Sequence, residues 1–335
     1  MKRFLAILLT ILTVCLIVPL PAMAATDAAA TITVATVVNV KKDVNVRAGA
    51  DTNAALIGVA GKNTKYAVLE KTGDWYKVLY NGQTGYISAK YLSIKKIKTK
   101  LSAAVNISVG TFNVHALGYG AKVDEVAKAL KNAKLDVVGV QEVDRFTSRS
   151  GNEDWPKILA EKAGFPYYYY CPTTRLGGGQ YGTLILSRLP ILSGEAIPLS
   201  VPRGAEARAL CYVQLMTNKG VINFFNTHLT NGTDSQKAAG VRAMNAKIQA
   251  LNLPSFVVSG DYNISANILM QYLPAGVSAA NENISTFGRG ANTRAIDNFL
   301  HSKKVTVSKL NTVDTITAGI SDHKLLTARV KIGKD

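Results

Sequence analysis

The chain has 335 residues, 47% of them hydrophobic and 18% charged. That is enough apolar material for about two packed domains, and it excludes a disordered polymer. A formal net charge of +17 excludes an acidic surface and favours polyanionic partners such as nucleic acid, anionic lipid or cell wall, unless it serves solubility alone. The excess is +8 over residues 31–100 and +8 over residues 101–335, so the short first half is the denser.

The chain opens MKRFLAILLTILTVCLIVPLPAMAA. A basic start, an apolar stretch and the small residues Ala22-Met23-Ala24 read as a secretory signal over residues 1–25, and so as a secreted or cell-surface protein. Pro19 and Pro21 favour cleavage over an uncleaved anchor, and Val14 before Cys15 argues against lipidation. No later stretch approaches the ~18 apolar residues of a membrane span. Cys171 and Cys211 then remain; they either form one disulfide in an oxidising compartment or stay as two buried thiols.

Residues 26–36 are rich in Ala and Thr and read as a leader. From residue 35 to 94, short alternating runs are punctuated by Gly49, Gly61, Gly73 and Asn81-Gly82, the pattern of a small all-β barrel. Three segments within it, Val44–Ala50, Gly73–Val78 and Gly82–Ile87, resemble the bacterial SH3-type family. That resemblance implies a binding module, often for cell-wall peptidoglycan. Trp75, Tyr80 and Tyr86 either line such a groove or, as most barrel aromatics do, fill the core. Residues 95–105 are Lys-rich and read as a linker, with a basic membrane-surface helix as the rival.

Beyond Asn106, strands and helices alternate, which predicts an α/β domain over residues 106–335. Strands are predicted at 107–112, 135–140, 181–187, 209–215, 221–226, 256–259, 298–301 and 325–331. Helices are predicted at 122–132, 155–163 and 234–251, the last opened by Thr233 or Asp234. The Gly177–Gly179 run is a loop too brief to cradle a nucleotide.

Polar residues follow several of these apolar runs. Val137–Val140 leads into Gln141-Glu142, Phe256–Val258 leads toward Gly260-Asp261, and Ser321-Asp322-His323 precedes the last strand. Carboxylates, amides and histidines projecting from strand ends are what a divalent cation and a phosphate ester require. Together with Thr111–His115, Tyr181–Arg188, Asn226–Leu229, Asp261–Asn263 and Ile296-Asp297, they fall in an order that resembles the endonuclease/exonuclease/phosphatase superfamily, the DNase I-like fold.

The resemblance covers about residues 106–333. It implies a four-layer sandwich of two mixed β-sheets flanked by helices, with the site at the strand ends. It implies Mg2+, or else Mn2+ or Ca2+, held by Glu142, Asn113 and Asp322. Asp261 would orient and deprotonate the attacking water. Asn263 would donate to the equatorial oxygens, and His228 and His323 would contact the phosphate. Asp297 would hold His323 and favour its protonated form. Tyr181 and Arg208 are further candidates for phosphate contact, or else for packing and a buried ion pair. Asp144, Arg145 and Arg149 either shape the pocket or face solvent, and His115 and His301 are expected to be structural. Two positions depart from the family pattern. Thr183 stands where Asn is frequent, and Asn298 stands where an aromatic commonly follows Asp297.

The expected activity is a secreted, metal-dependent hydrolase of phosphodiesters or phosphomonoesters, with an extracellular nuclease held at the cell wall as the leading form. The alternatives are a lipid or inositol phosphate phosphatase and a catalytically inactive cell-surface binding protein. Retention of Glu142, Asp261, Asp322 and His323 argues against the inactive form. No apolar hairpin suited to a lipid surface is evident, and neither is a long basic, aromatic-bearing insertion for a DNA groove.

Overall fold

A computed structural model describes residues 31–200 and 206–335. The expected signal segment lies outside the described residues. No helix among them is long and apolar enough to cross a membrane.

The small domain has seven strands: β1 Thr31–Val37, β2 Asp43–Arg47, β3 Leu56–Gly61, β4 Lys65–Thr72, β5 Trp75–Tyr80, β6 Gln83–Ser88 and β7 Leu92–Lys98. They pair antiparallel in the order β3-β2-β6-β5-β4-β1-β7. Alternation puts Val37, Val46, Ala60, Val78 and Ile87 inside. Tyr80 is buried with them, its hydroxyl donating to Val59 O, whereas Trp75 and Tyr86 are half-buried.

Two expectations are corrected here. Residues 31–36, read as leader, belong to β1. Residues 95–98, read as linker, complete β7, which pairs with β1 from Thr31↔Lys98 to Val37↔Leu92. The lysines there occupy an edge strand, where one side of the ladder is open to water. Between them, Ile97 packs on a cluster of Ile32, Val34 and Ala67.

The large domain begins with β8 Val105–Asn113, α1 Val123–Ala133, β9 Val137–Arg145, α2 Trp155–Ala163, β10 Tyr167–Leu176, β11 Gly179–Ser187, β12 Ile191–Leu199 and β13 Arg208–Met216. It continues with β14 Val221–His228, α3 Asp234–Ala250, β15 Val257–Asp261, α4 Ala266–Leu269, β16 Val277–Ala279, β17 Asp297–Ser302, β18 Val305–Val313 and β19 Leu325–Ile332. One sheet runs β10-β11-β9-β8-β19-β18 and the other β12-β13-β14-β15-β17-β16. The pairs β8/β9 and β14/β15 are parallel, crossed over by α1 and α3, so both sheets are mixed. Helix α1 buries Val123, Val126, Ala127 and Leu130 against the first sheet, as its spacing predicts. Helix α3 covers the second sheet and opens on a capping box, Thr233 with Gln236.

Between the sheets lie Val109, Val137, Ile185, Val213, Phe224, Val257 and Phe299. Cys171 of β10 and Cys211 of β13 form a disulfide through this core, tying one sheet to the other. Toward the strand ends the filling turns polar. Gln141 Nε2 donates to Asn226 Oδ1 (2.7 Å) and Thr111 Oγ1 (3.0 Å), and Asn226 Nδ2 donates to Val140 O and Leu184 O. The sheets approach closely there. A Cβ on Gly139 would lie 2.2 Å from Ser259 Oγ and 2.4 Å from Asn226 Oδ1.

The small domain is docked on the large one. Lys65 N donates to Tyr167 Oη (2.8 Å), and the rings of Tyr66 and Tyr167 meet edge to face with centroids 5.8 Å apart. Leu192 and Val221 join the Ile32 cluster. Val221 N donates to Thr99 O and Ser102 N to Lys219 O, so the connection itself adheres to the large domain.

Candidate active site

Strand register gathers the polar side chains at one rim. His228 pairs with Asp261 across β14/β15, and Asp261 pairs with Asp297 across β15/β17. On the facing sheet, Asn113 pairs with Gln141 across β8/β9.

Glu142 is not at a strand end. Strand β9 continues to Arg145, and the register with β11 shifts between Leu184↔Val140 and Gly182↔Val143, so Glu142 sits in a bulge with φ 60°. A non-glycine residue in that left-handed conformation costs about 1 kcal/mol or more. The bulge breaks the alternation of β9 and leaves the carboxylate partly exposed while its neighbours Gln141 and Val143 are buried.

Asn113 Nδ2 donates to Glu142 Oε1 (3.0 Å) and to Asp261 Oδ2 (3.0 Å). Its Oδ1 accepts from His115 N (3.0 Å), which fixes the orientation of the amide, because a backbone N–H can only donate. The amide oxygen expected at a metal is therefore turned away, and Asn113 instead bridges two carboxylates as a donor.

Asp261 is almost fully buried, and its Oδ1 accepts from Asn263 N (2.9 Å). Burial pushes its pKa up to about 7; the His323 charge opposes the rise and Asp297 adds to it. His323 Nδ1 donates to Asp297 Oδ2 (2.8 Å), and its Nε2 lies 3.6 Å from Asp261 Oδ2. Burial alone would depress His323, but the Asp297 and Asp261 carboxylates outweigh it and raise the imidazole to about 10. The ring is a cation, packed at 4.8 Å centroid distance on Phe287.

His228 is the opposite case. Arg208 Nη1 faces its Nδ1 at 3.0 Å and Asn263 Nδ2 faces its Nε2 at 3.1 Å. Burial, then the Arg208 charge and then His323, push its pKa well down, so it stays neutral. The Arg208 guanidinium is buried and also bonds Glu206 (3.2 Å). Tyr181 is buried beside Arg208 and Glu142, and burial pushes its hydroxyl pKa up.

Asp322 is placed apart from this network. Its carboxylate is about half-exposed and pairs with His115 Nδ1 at 3.7 Å. The loop that carries it is anchored beside the site, since Ser321 Oγ donates to Asn113 O (2.7 Å). His115 was expected to be structural; here it is exposed and faces Asp322. The departing positions also resolve. Thr183 Oγ1 is buried without a partner, while Asn298 braces its loop through Asn281 N, Asn281 O and Phe299 N.

Ligand atoms of Asp261, Asp297 and His323 lie within 4.8 Å of one another. With His323 Nδ1 bonded to Asp297 and its Nε2 facing Asp261, the trio reads as an imidazole held between two carboxylates. Glu142 does fit a hard cation. It is a partly exposed carboxylate held by an amide, and among the described residues it pairs with no lysine or arginine.

One feature had little sequence signal. His115 through Tyr119 all have φ between 46° and 56°, a left-handed turn that leaves Tyr119 57% exposed. Arg149, clamped by Asp144 at 2.7 and 2.8 Å, lies between the rings of Tyr119 (5.3 Å) and Tyr181 (5.4 Å). A sandwiched Tyr–Arg–Tyr row thus runs from solvent to the vicinity of Glu142.

Comparison with known proteins agrees with this fold. Residues 110–323 match the endonuclease/exonuclease/phosphatase family, and residues 42–93 match the bacterial SH3 domain. The chain belongs to the endonuclease/exonuclease/phosphatase family and is a phosphoric ester hydrolase preceded by an SH3-like domain. A solved endonuclease/exonuclease/phosphatase from Beutenbergia cavernae superposes with TM-score 0.56 at 20% identity, covering 68% of this chain and 72% of that one. D. rerio TDP2 complexed with single strand DNA product superposes with TM-score 0.52 at 18% identity, covering 67% and 98%. Bacteriocin BCN5 of Clostridium perfringens is 37% identical over 65 residues, which is 19% of this chain and only 7% of that protein's length.

Proposed function

We propose that the chain is a secreted, divalent-metal-dependent phosphodiesterase acting on nucleic acid. The observation that carries it is Asp261: a buried carboxylate near neutral pKa, oriented by Asn113 and Asn263 N, with a charged His323 at 3.6 Å. A base with a pKa near the working pH suits abstraction of a proton from water.

In the step proposed, a water oxygen attacks phosphorus, its proton passes to Asp261, and the opposite P–O bond breaks. His323, held by Asp297, offers positive charge to the phosphate. Asn263 and His228, on giving up the bond between Nδ2 and Nε2, would face the equatorial oxygens that collect negative charge. Glu142 would hold Mg2+, or Mn2+ or Ca2+ in its place, whereas Asp322 is turned to His115. A cation there would supply Lewis-acid charge to the phosphoryl and leaving oxygens.

The exposed ring of Tyr119, backed by Arg149, favours nucleic acid over lipid or inositol phosphate, because bases stack on accessible aromatic planes. The Cys171–Cys211 disulfide supports export, since such bonds persist in oxidising compartments.

The test is hydrolysis of plasmid DNA, bis-p-nitrophenyl phosphate, sphingomyelin and inositol phosphates with magnesium and with chelator. Asp261→Ala is expected to lose about 100-fold or more. Activity that survives chelation, or an Asp261→Ala variant at full rate, refutes the mechanism. Peptidoglycan binding by the small domain is proposed for the β3 edge, where Leu56 and Val59 are exposed. The full chain should cosediment with sacculi, and Leu56→Glu with Val59→Glu should release it; equal sedimentation counts against this role.

A further inference from the structure

The densest charge lies far from the catalytic cleft. A groove of about 460 Å³ opens where the small domain meets the hairpin joining β13 to β14. Lys65, Lys95, Lys96, Lys98, Lys100 and Lys219 line it. Strand β7 and the segment after it supply four of these, β4 supplies one and the hairpin supplies the last. The groove therefore exists only because the two domains are docked.

Six lysines border one concavity, with Lys96 and Lys98 on the other face of β7 from Lys95, and like charges gathered so closely repel one another unless an anion offsets them. Among the described residues, none of the six pairs with a carboxylate within the 4.0 Å of an ion pair. The acidic groups nearby are otherwise engaged. Asp136 Oδ2 accepts from Ser108 N (2.7 Å), and Asp335 Oδ2 accepts from Leu101 N (2.8 Å), while Asp335 Oδ1 is buried with no hydrogen-bond partner among the described residues. The remaining lining includes Thr36 and Asn218, and also Ser102 and Thr217, whose hydroxyls donate to Lys219 O and Gly220 O and so brace the hairpin; it contains no aromatic ring.

The groove sits at the opposite pole from the active site. Strand β14 starts beside it at Val221 and ends at His228, about 24 Å away at the usual strand rise. Occupancy of one need not obstruct the other.

We propose that this groove is a second, non-catalytic site that binds the phosphate backbone of single-stranded nucleic acid without regard to sequence. Lysines act as point charges toward phosphate, and attraction to the backbone alone is independent of sequence. A concavity of about 460 Å³ is too small to take a duplex and suits a flexible single chain better than a flat lipid surface. The choice of nucleic acid among phosphodiester polymers rests on the nuclease reading above; the anion site itself does not.

The experiment is fluorescence anisotropy of a labelled mixed-sequence DNA 20-mer with the full chain, in chelator so that nothing is hydrolysed, over a series of salt concentrations. Lys95→Gln/Lys98→Gln/Lys219→Gln should weaken binding by about 10-fold or more at low salt and flatten the log–log salt slope by about 2. Lys128→Gln/Lys131→Gln/Lys157→Gln on α1 and α2, with the same loss of net charge, should change binding far less. Hydrolysis of bis-p-nitrophenyl phosphate should be unchanged in both variants, which also reports intact folding. Equal loss in the two triple variants, or no loss in the first, overturns the proposal. Tighter binding of a glycerol-phosphate wall polymer than of the oligonucleotide overturns the nucleic-acid assignment. Failure of the wild-type chain to cleave any DNA would sink the nuclease reading but leave the measured groove binding standing, so the two failures are distinguishable.

Discussion

Asp297 is the residue on which the site's charge state turns. Its carboxylate is buried and makes one short contact, to His323 Nδ1. Because His323 is raised to about 10 in the fold against an ordinary value near 6.5, the folded chain holds that proton more tightly than the unfolded one. That contribution to stability is fully present below pH 6.5 and is lost as pH rises through about 10. Melting in chelator should therefore show Tm falling across this window, and Asp297→Asn should flatten the fall. An equally steep fall in the variant would mean that other groups dominate. Asp297→Asn should also lower diester hydrolysis by about 100-fold, as expected when a positioned acid–base group is disabled. Tyr119 carries a separate expectation at the same scale. Base stacking contributes about 1–3 kcal/mol, so Tyr119→Ala should raise KM for single-stranded DNA by about 5-fold or more while leaving bis-p-nitrophenyl phosphate hydrolysis unchanged. Loss on both substrates would point to a structural role for that turn.

Among the elements, the strands read from the sequence were central and the ones overlooked were peripheral. β10, β12, β16 and β18 were all missed, and they are the four edges of the two sheets. An edge strand has one ladder and one wet side, so it tolerates residues that dilute a strand pattern. Pro198 and Gly194 lie in β12, and Lys309 of β18 takes φ 51° at a register shift. The central strands are buried on both faces and read as continuous apolar runs. Two element-scale measurements follow. Cys171→Ser/Cys211→Ser removes a crosslink closing a loop of 40 residues, worth about 4 kcal/mol in the chain-entropy account, and should lower the Tm of a whole-chain transition by about 6 °C. A shift near zero would mean that packing alone holds β10 to β13. Gly139→Ala should cost about 1–3 kcal/mol, because the added methyl meets Ser259 and Asn226 where the sheets are closest.

At the scale of the molecule, the small domain is a buttress as well as a module. It covers Tyr167, Leu192 and Val221 of the larger domain, all of them buried. Calorimetry should accordingly show one cooperative transition for the whole chain; two well-separated transitions would contradict the docking. The residues proposed for the chemistry stand out one by one, because the side chains of a phosphate site are polar interruptions in apolar runs: Asp261 and His228 ending β15 and β14, Asn113 ending β8, His323 just before β19. The central sheets and the main helices were legible for a similar reason, since burial of one face imposes a period on the local sequence. Only the tertiary structure decided that Glu142 sits in a bulge, that Asn113 donates to two carboxylates, that Asp322 faces His115, that Cys171 meets Cys211 and that a lysine groove forms between domains. Each of these depends on where segments distant in the chain come to rest, and no periodicity within a single segment encodes that.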